Sequence, residues 1–221
     1  MSCWKRRAPL LVEVWTAGVS PAGSKLKGSR WPARTPAVHI ARMTGWRSRG
    51  YLPHCDEAGL VQHIVFGLDD AMPKSVPSNL AAPEERAAWA DREFDVGRGS
   101  CLLAKPPVAE IVQSCLHFGD GERYALAAWC VMPTHVHVVI ELFPTYSLAK
   151  IVQAWKSISA HRINELERRT GPLWRREYFD RFMRSNEQFA WTVEYVERNP
   201  VSAGLVAKPE HWRFSSANWR R

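Results

Sequence analysis

The chain has 221 residues, which is long enough for one ordinary domain with an appendage. Its 46% hydrophobic and 24% charged residues exclude a chain that is disordered throughout, and no apolar run approaches the roughly 18 residues of a membrane span. We therefore expect a cytoplasmic protein without a membrane partner. The net charge of +8 is uneven, because residues 1–42 hold eight Lys or Arg against one acid and residues 147–221 hold 14 against eight. A basic C-terminal third is suited to phosphate binding.

The first 42 residues differ in composition from the rest. They are rich in Pro, Gly, Ser and Arg without sustained periodicity, so we expect 1–42 to be a disordered or non-native N-terminal extension. Met43 lies at the change in composition and is the expected biological start. Residues 43–221 are predicted to form one domain with a basic C-terminal tail. The five scattered cysteines are expected to be small buried side chains rather than a disulfide framework.

Hydrophobic patterns predict the elements of this domain in chain order. The first are a strand at 62–68, helices at 83–91 and 108–116, and strands at 123–131 and 135–142.

The second half of the domain begins with the clearest helix, for which Ser147 is a natural N-cap. The aromatic and basic stretch 174–184 is expected to be part strand and part loop. Residues 185–188 have the pattern of a capping box that opens a last helix, predicted to end near Arg198 because Pro200 disfavours a helical residue before it. This order of elements predicts an α+β fold, an antiparallel sheet with helices on one face.

Two histidines lie on the predicted strand 135–142. Side chains alternate along a strand, so His135 and His137 share one face while the apolar residues between and after them point to the other. Neighbouring imidazoles on one face either bind a metal or are ordinary surface histidines, and the spacing alone leaves both open. The other histidines, His63 among them, lack such a spacing and are expected to be surface or core residues.

A tyrosine and an amide share a polar face on the last predicted helix. The apolar stripe of that helix contains Phe189, Val193 and Val196, and Tyr195 lies away from it. Asn199 follows four residues later, so the phenol and the amide can meet one ligand. A partly exposed tyrosine without a chemical role fits the same pattern. Beside a metal held by the two histidines, the phenol is suited to phosphoryl transfer.

Several segments together resemble a known family. Residues 131–140 (VMPTHVHVVI) are similar to the His-hydrophobic-His strand of single-tyrosine HUH transposases. Residues 171–180 (GPLWRREYFD) and 195–206 (YVERNPVSAGLV) resemble the branch called REP-associated tyrosine transposases. The tail 211–217 (HWRFSSA) and the opening 43–54 fit the same branch, so the resemblance covers nearly the whole predicted domain.

The resemblance implies a ferredoxin-like α+β nuclease domain of the HUH type. It implies that Tyr195 attacks a phosphate of single-stranded DNA, forms a 5′-phosphotyrosine and later rejoins the strand, and that His135 and His137 bind Mg²⁺ or Mn²⁺. The third ligand of insertion-sequence relatives is a glutamine four residues after the tyrosine, and here that position is Asn199. The implied substrates are palindromic repeats that fold into hairpins. A monomer and a homodimer both fit this reading.

Other residues and functions stay open. Tyr178 is a rival nucleophile, but its aromatic neighbours favour packing and no amide follows it four residues later. Two other functions fit: a metal hydrolase that uses the H-x-H pair without a covalent intermediate, and a domesticated protein that binds hairpin DNA without cleaving it. Four basic residues are candidates for phosphate contacts, with ordinary solvated charge an equal alternative for each: Lys156, Arg175, Arg176 and Arg184.

Overall fold

The structure, a computed structural model, describes residues 46–48, 53–55, 59–73, 85, 89–90, 92–94 and 96–219. The strands are β1 (Trp46–Ser48), β2 (Pro53–Cys55), β3 (Val61–Gly67), β4 (Tyr124–Val131), β5 (His135–Leu142) and β6 (Phe179–Phe182). The helices whose two ends lie among the described residues are α1 (Pro106–His117), α2 (Leu148–Leu166), α3 (Asn186–Ser202) and the single-turn α4 (Ser216–Trp219), with short 3-10 helices at Leu102–Ala104 and Pro209–His211.

Several predictions for the first half of the chain fall outside the described residues. These are the N-terminal extension 1–42, the start at Met43 and most of the helix at 83–91. The described positions within that predicted helix, Glu85, Trp89 and Ala90, are helical, and so are residues 92–94.

Four strands form one antiparallel sheet in the order β4-β5-β3-β6, and β1 pairs with β2 separately. Strand β5 therefore lies inside the sheet, between β4 and β3. In the pairing of β3 with β5, Val65 lies opposite His137 and Gly67 lies opposite His135. The sheet and its helices confirm the predicted α+β fold.

Helices α1 and α2 cover one face of the sheet. The apolar side chains of both helices join Ile64 and Phe66 of β3 in the main core. Tyr124 of β4, which is 1% exposed, links the two helices by hydrogen bonds. Its hydroxyl donates to the carbonyl of Leu116 in α1 at 2.6 Å and accepts from Nε1 of Trp155 in α2 at 3.0 Å. The apolar side chains of α2 that face the sheet are buried here, whereas Ile158 and Leu166 on the same helix are exposed.

Helix α3 lies on the opposite face, which the sequence had left without a helix. Val193 and Val196 pack in a second core with Cys130 and Val139 of the sheet. This placement matters for function, because the same face carries the two histidines of β5. The sheet is thus covered on both sides.

The start of α3 confirms the predicted capping box. Ser185 is the N-cap, and its Oγ accepts from the backbone N–H of Gln188 at 3.2 Å. The side chain of Gln188 reaches back and accepts from the backbone N–H of Arg184 at 2.8 Å. One N–H group of the first helical turn, that of Gln188, is therefore satisfied, whereas the return bond reaches the residue before the N-cap and not the N-cap itself.

The predicted end of α3 near Arg198 was wrong, because the helix continues through Pro200 to Ser202. Asn199 and Pro200 are both buried, so the last turn is held by packing that overrides the local preference of proline. The carbonyls of Asn199 and Pro200 accept from the N–H groups of Ala203 and Leu205, each at 2.9 Å. The longer helix keeps Asn199 one turn from Tyr195.

The C-terminal tail packs onto the domain. Nε1 of Trp212 donates to the carbonyl of Val131 at 3.0 Å, and Phe214 is 7% exposed. Among the cysteines, Cys115 and Cys130 are free and buried as predicted. Cys101 is also buried as predicted, but it is disulfide-bonded, so the prediction of a free thiol was wrong there. Within the described residues, no helix has the length and apolar character needed to cross a membrane.

Candidate metal centre and nucleophile

The two histidines of β5 point to the face covered by α3, because side chains alternate along the strand. The apolar side chains of Val136 and Val138 fill the main core on the opposite face. His135 and His137 are both 0% exposed. The prediction that they share one face is confirmed, and the structure adds that the face is buried.

The inner nitrogens of these rings converge. Nε2 of His135 lies 2.9 Å from Nε2 of His137. The amide Nδ2 of Asn199 lies 3.2 Å from the same Nε2 of His137. The three side chains that the sequence grouped as metal ligands therefore meet at one point, although they come from β5 and α3.

The outer nitrogens of the same rings each have a partner. Thr134 Oγ1 lies 2.9 Å from Nδ1 of His135, and Nε2 of His63 lies 3.0 Å from Nδ1 of His137. The sequence reasoning placed His63 among surface or core residues and missed this contact. Its position between Gln62 and Ile64 of a buried strand was the available signal, but only the pairing of β3 with β5 reveals its partner.

Burial keeps these imidazoles neutral. Desolvation lowers the pKa of His63 to about 3, helped by the nearby charge of Arg181. Desolvation also lowers the pKa of His135 to about 3, with a further contribution from His63. The pKa of His137 is lowered well below its usual value, first by burial and then by its two histidine neighbours. Neutral imidazoles keep a lone pair that can bind a metal.

This donor set fits one small divalent cation. Two nitrogen ligands at right angles, each about 2.1 Å from one ion, lie about 3 Å apart, close to the observed Nε2 separation. The amide of Asn199 can supply an oxygen after half a turn about its last bond. In the described part of the chain, no group of three His, Cys, Asp or Glu side chains is arranged as a metal site. The candidate site therefore depends on the amide as its third protein ligand.

Tyr195 lies directly against this centre. Its ring meets His137 edge-on with the centroids 5.6 Å apart, and meets His63 edge-on at 6.1 Å. Trp191, one turn earlier on α3, stacks nearly parallel on the tyrosine ring at 5.6 Å. The ring is half-buried, whereas Thr192 and Asn199 on the same helix are buried. The polar face of α3 thus faces the histidines and not the solvent.

The rival Tyr178 lies elsewhere. It lines a groove beside α2, with a cavity volume of about 450 Å³, together with Lys156, Arg175 and Arg176. This groove belongs to the face of the sheet that α2 covers, where Tyr178 packs against the main core. The structure therefore brings Tyr195, and not Tyr178, to the candidate metal centre.

The four basic candidates occupy different environments. Nζ of Lys156 donates to the carbonyls of Arg175 and Arg176 at 2.6 and 2.8 Å, and burial lowers its pKa to about 8 although Glu177 opposes the shift. Arg175 is buried and its Nη1 donates to the carbonyl of Pro73 at 2.8 Å. Arg176 is exposed. Arg184 is also exposed and lies just before α3, over the ring of Phe182.

Comparisons with known proteins bear on this arrangement. Residues 103–199 match the family described as IS200-like transposases, and this segment contains both histidines of β5, Tyr195 and Asn199. A REP-associated tyrosine transposase of Haemophilus influenzae is 24% identical to the chain over 114 residues, which are 47% of this chain and 62% of that relative. The resemblance to REP-associated tyrosine transposases is confirmed.

A solved structure of a REP-associated tyrosine transposase bound to a REP hairpin has the same fold. It matches with a TM-score of 0.51 at 16% identity, over 75% of this chain and 81% of that one. The chain spans less than two thirds of the Haemophilus transposase. His63 lies before the segment that the family model matches.

Proposed function

We propose that the protein cleaves and rejoins single-stranded DNA, with Tyr195 as the nucleophile and with Mg²⁺ or Mn²⁺ held by His135, His137 and Asn199. One observation carries the proposal: Tyr195 packs edge-on against His137, whose Nε2 converges with the other two ligands. Phosphoryl transfer needs a nucleophile beside a cation site, and this arrangement supports both assignments.

The resemblance to tyrosine transposases implies the chemistry of the cleavage. Oη of Tyr195 forms a bond to the phosphorus while the bond from phosphorus to the 3′-oxygen breaks, which leaves a 5′-phosphotyrosine and a free 3′-hydroxyl. The phenol proton passes to solvent, and the departing 3′-oxygen takes up a proton. A bound cation would neutralise charge on the non-bridging oxygens. Because the phosphotyrosine remains a phosphodiester, attack by a 3′-hydroxyl restores the strand.

Substrate entry requires a rearrangement of the covering side chains. His135 is fully buried and Phe94 stacks on its ring, with the centroids 5.1 Å apart. On the other side the ring of Tyr195 covers His137. A DNA phosphate can reach the centre only when these rings shift. Tyr195 is half-buried, whereas Phe94 is 1% exposed. We therefore expect the ring of Tyr195, and not that of Phe94, to move aside when a phosphate enters.

The substrate class that we propose is single-stranded DNA with palindromic hairpins. The solved transposase with this fold is bound to a REP hairpin, and we extend that ligand class to this chain. The exposed guanidinium groups of Arg176 and Arg184 are available for phosphate contacts. Lys156 and Arg175 already donate to backbone carbonyl groups. We therefore expect these two side chains to hold the walls of the groove in place and not to contact phosphate directly.

The test is denaturing electrophoresis after incubation with 5′- and 3′-end-labelled single-stranded hairpin DNA from the protein's own locus. The wild type and the variants Tyr195→Phe and Tyr178→Phe are compared, with Mn²⁺ or with a chelator. Tyr178→Phe is the matched control, because it removes the same hydroxyl group on the other face of the sheet.

We expect a metal-dependent DNA–protein adduct that disappears only in Tyr195→Phe. An adduct lost only in Tyr178→Phe would assign the nucleophile to Tyr178. Cleavage without an adduct, unaffected by either substitution, would instead identify a metal hydrolase. Hairpin binding without cleavage would identify a domesticated binding protein.

A further inference from the structure

His63 contacts the candidate ligand His137 on the side of the imidazole ring that faces away from His135 and Asn199. Its Nε2 lies 3.0 Å from Nδ1 of His137, and the two rings are nearly parallel, at 12°, with their centroids 5.2 Å apart, which fits an in-plane hydrogen bond between the two nitrogens. The opposite nitrogen of the His137 ring, Nε2, faces His135 and Asn199. The two nitrogens of one imidazole point in different directions, so His63 cannot bind the same ion as Nε2 of His137.

The contacts of His137 favour a proton on its outer nitrogen. With the amide of Asn199 oriented as in the structure, Nδ2 donates to Nε2 of His137, which accepts with its lone pair. A neutral imidazole then has its proton on Nδ1. That N–H is directed at Nε2 of His63, which accepts it. This tautomer of His137 is the one that a cation on Nε2 requires.

The position of His63 is set by the sheet. Strand β3 lies between β5 and β6, with His63 opposite Val139 on one side and Arg181 on the other. The side chain is 6% exposed and also meets the ring of Tyr195 edge-on. A residue held by backbone pairing on both sides is a firm support for its neighbour.

The other candidate ligand has an equivalent support. Oγ1 of Thr134 lies 2.9 Å from Nδ1 of His135 and donates to the carbonyl of Phe94 at 3.3 Å. Both imidazoles therefore have a partner on the nitrogen that faces away from the centre, as metal-binding histidines do.

We propose that His63 is a positioning residue, which accepts the hydrogen bond from Nδ1–H of His137 and so holds Nε2 of that ring ready for the divalent cation. The inference rests on the proposed function, because it assumes that His137 is a metal ligand. Loss of such an outer partner weakens metal affinity by about 10- to 100-fold.

The test is calorimetric titration of the metal-free full chain with Mn²⁺. His63→Leu removes the acceptor and places an apolar side chain of similar size there. His63→Gln supplies an oxygen acceptor in place of the ring nitrogen, and His161→Leu is the matched control on the exposed side of α2. Thermal unfolding in chelator checks that each variant is folded.

We expect the Kd for Mn²⁺ to rise about 10- to 100-fold in His63→Leu, to recover at least in part in His63→Gln, and to stay unchanged in His161→Leu. A folded His63→Leu variant with the wild-type Kd would overturn the positioning role of His63 and leave the proposed metal site unaffected. Equal losses in the Leu and Gln variants would also overturn it, because the acceptor would not be what matters. Absence of Mn²⁺ binding by the wild type would remove the proposed metal site itself.

A second measurement needs no variant at position 63. The ¹⁵N–¹H spectrum of the histidine rings in the metal-free wild type reports which nitrogen of His137 is protonated. We expect the proton on Nδ1, coupled to a ring nitrogen of His63. A proton on Nε2 of His137 would overturn the proposal.

Discussion

The amide of Asn199 lies 3.2 Å from Nε2 of His137, which joins the end of α3 to the middle of β5. The contact exists because α3 continues through Pro200 and keeps Asn199 one turn beyond Tyr195. The proposed nucleophile and the third candidate ligand are therefore carried by one helix. A change in the amide should alter metal binding without moving the tyrosine.

Asn199→Asp is expected to increase the affinity for Mn²⁺ on the order of tenfold, because a charged carboxylate is a stronger ligand for this ion than an amide oxygen. Calorimetric titration measures the change. Asn186→Asp is the control, because it adds the same charge to an exposed position at the start of α3. Weaker binding in Asn199→Asp than in the wild type would contradict a direct ligand role for this position.

Gly67→Ala is expected to destabilise the protein by about 1–3 kcal/mol through overpacking. A Cβ at this position would lie 2.1 Å from Cε1 of Phe94, whose ring covers His135. Urea unfolding in chelator measures the free energy of unfolding. In a Phe94→Ala background the same substitution should cost much less, since the obstructing ring is gone. An equal cost in both backgrounds would show that the contact with Phe94 is not the cause.

Stability of the metal-free protein should fall as the pH drops below about 6.5. The pKa values of His63 and His135 are about 3 in the folded protein, against 6.5 when unfolded, so the unfolded state binds more protons between these values. Stability is therefore complete above pH 6.5 and is lost toward pH 3. Each histidine contributes a slope of up to about 1.4 kcal/mol per pH unit.

Urea unfolding at pH 7.5, 6.5 and 5.5 in chelator tests this dependence. The lowered pKa of Lys156, about 8, affects stability only at higher pH. The lowered pKa of Glu187 affects stability only below the usual value of 4.5. A free energy of unfolding that is constant over this pH range would contradict the neutral, buried state of the histidines.

Ser185→Ala is expected to cost about 1 kcal/mol of stability, because it removes the N-cap of α3. Ser185→Asp should retain most of the stability, since a carboxylate also accepts from the N–H of Gln188. Thermal unfolding compares the two variants with the wild type. Equal stability of the Ala variant and the wild type would show that Gln188 and tertiary packing hold the helix start without the serine.

Local sequence patterns were sufficient to predict which side chains of the candidate site share a face. The alternation along β5 placed His135 and His137 on one face, and the helical spacing placed Asn199 one turn after Tyr195. These relationships involve residues two or four positions apart, so the geometry of a single strand or helix determines them. The resemblance to tyrosine transposases then indicated that the two elements belong to one site.

Only the tertiary structure decided how those elements meet. The sequence could not show that β3 lies beside β5, which brings His63 to His137, or that α3 covers the face opposite α1 and α2. Nor could it show that packing carries α3 through Pro200. Strand neighbours and the choice of face depend on contacts between residues far apart in the chain, whose energies no local pattern contains. The sequence by itself determined which side chains share a face, and the fold determined what each face contacts.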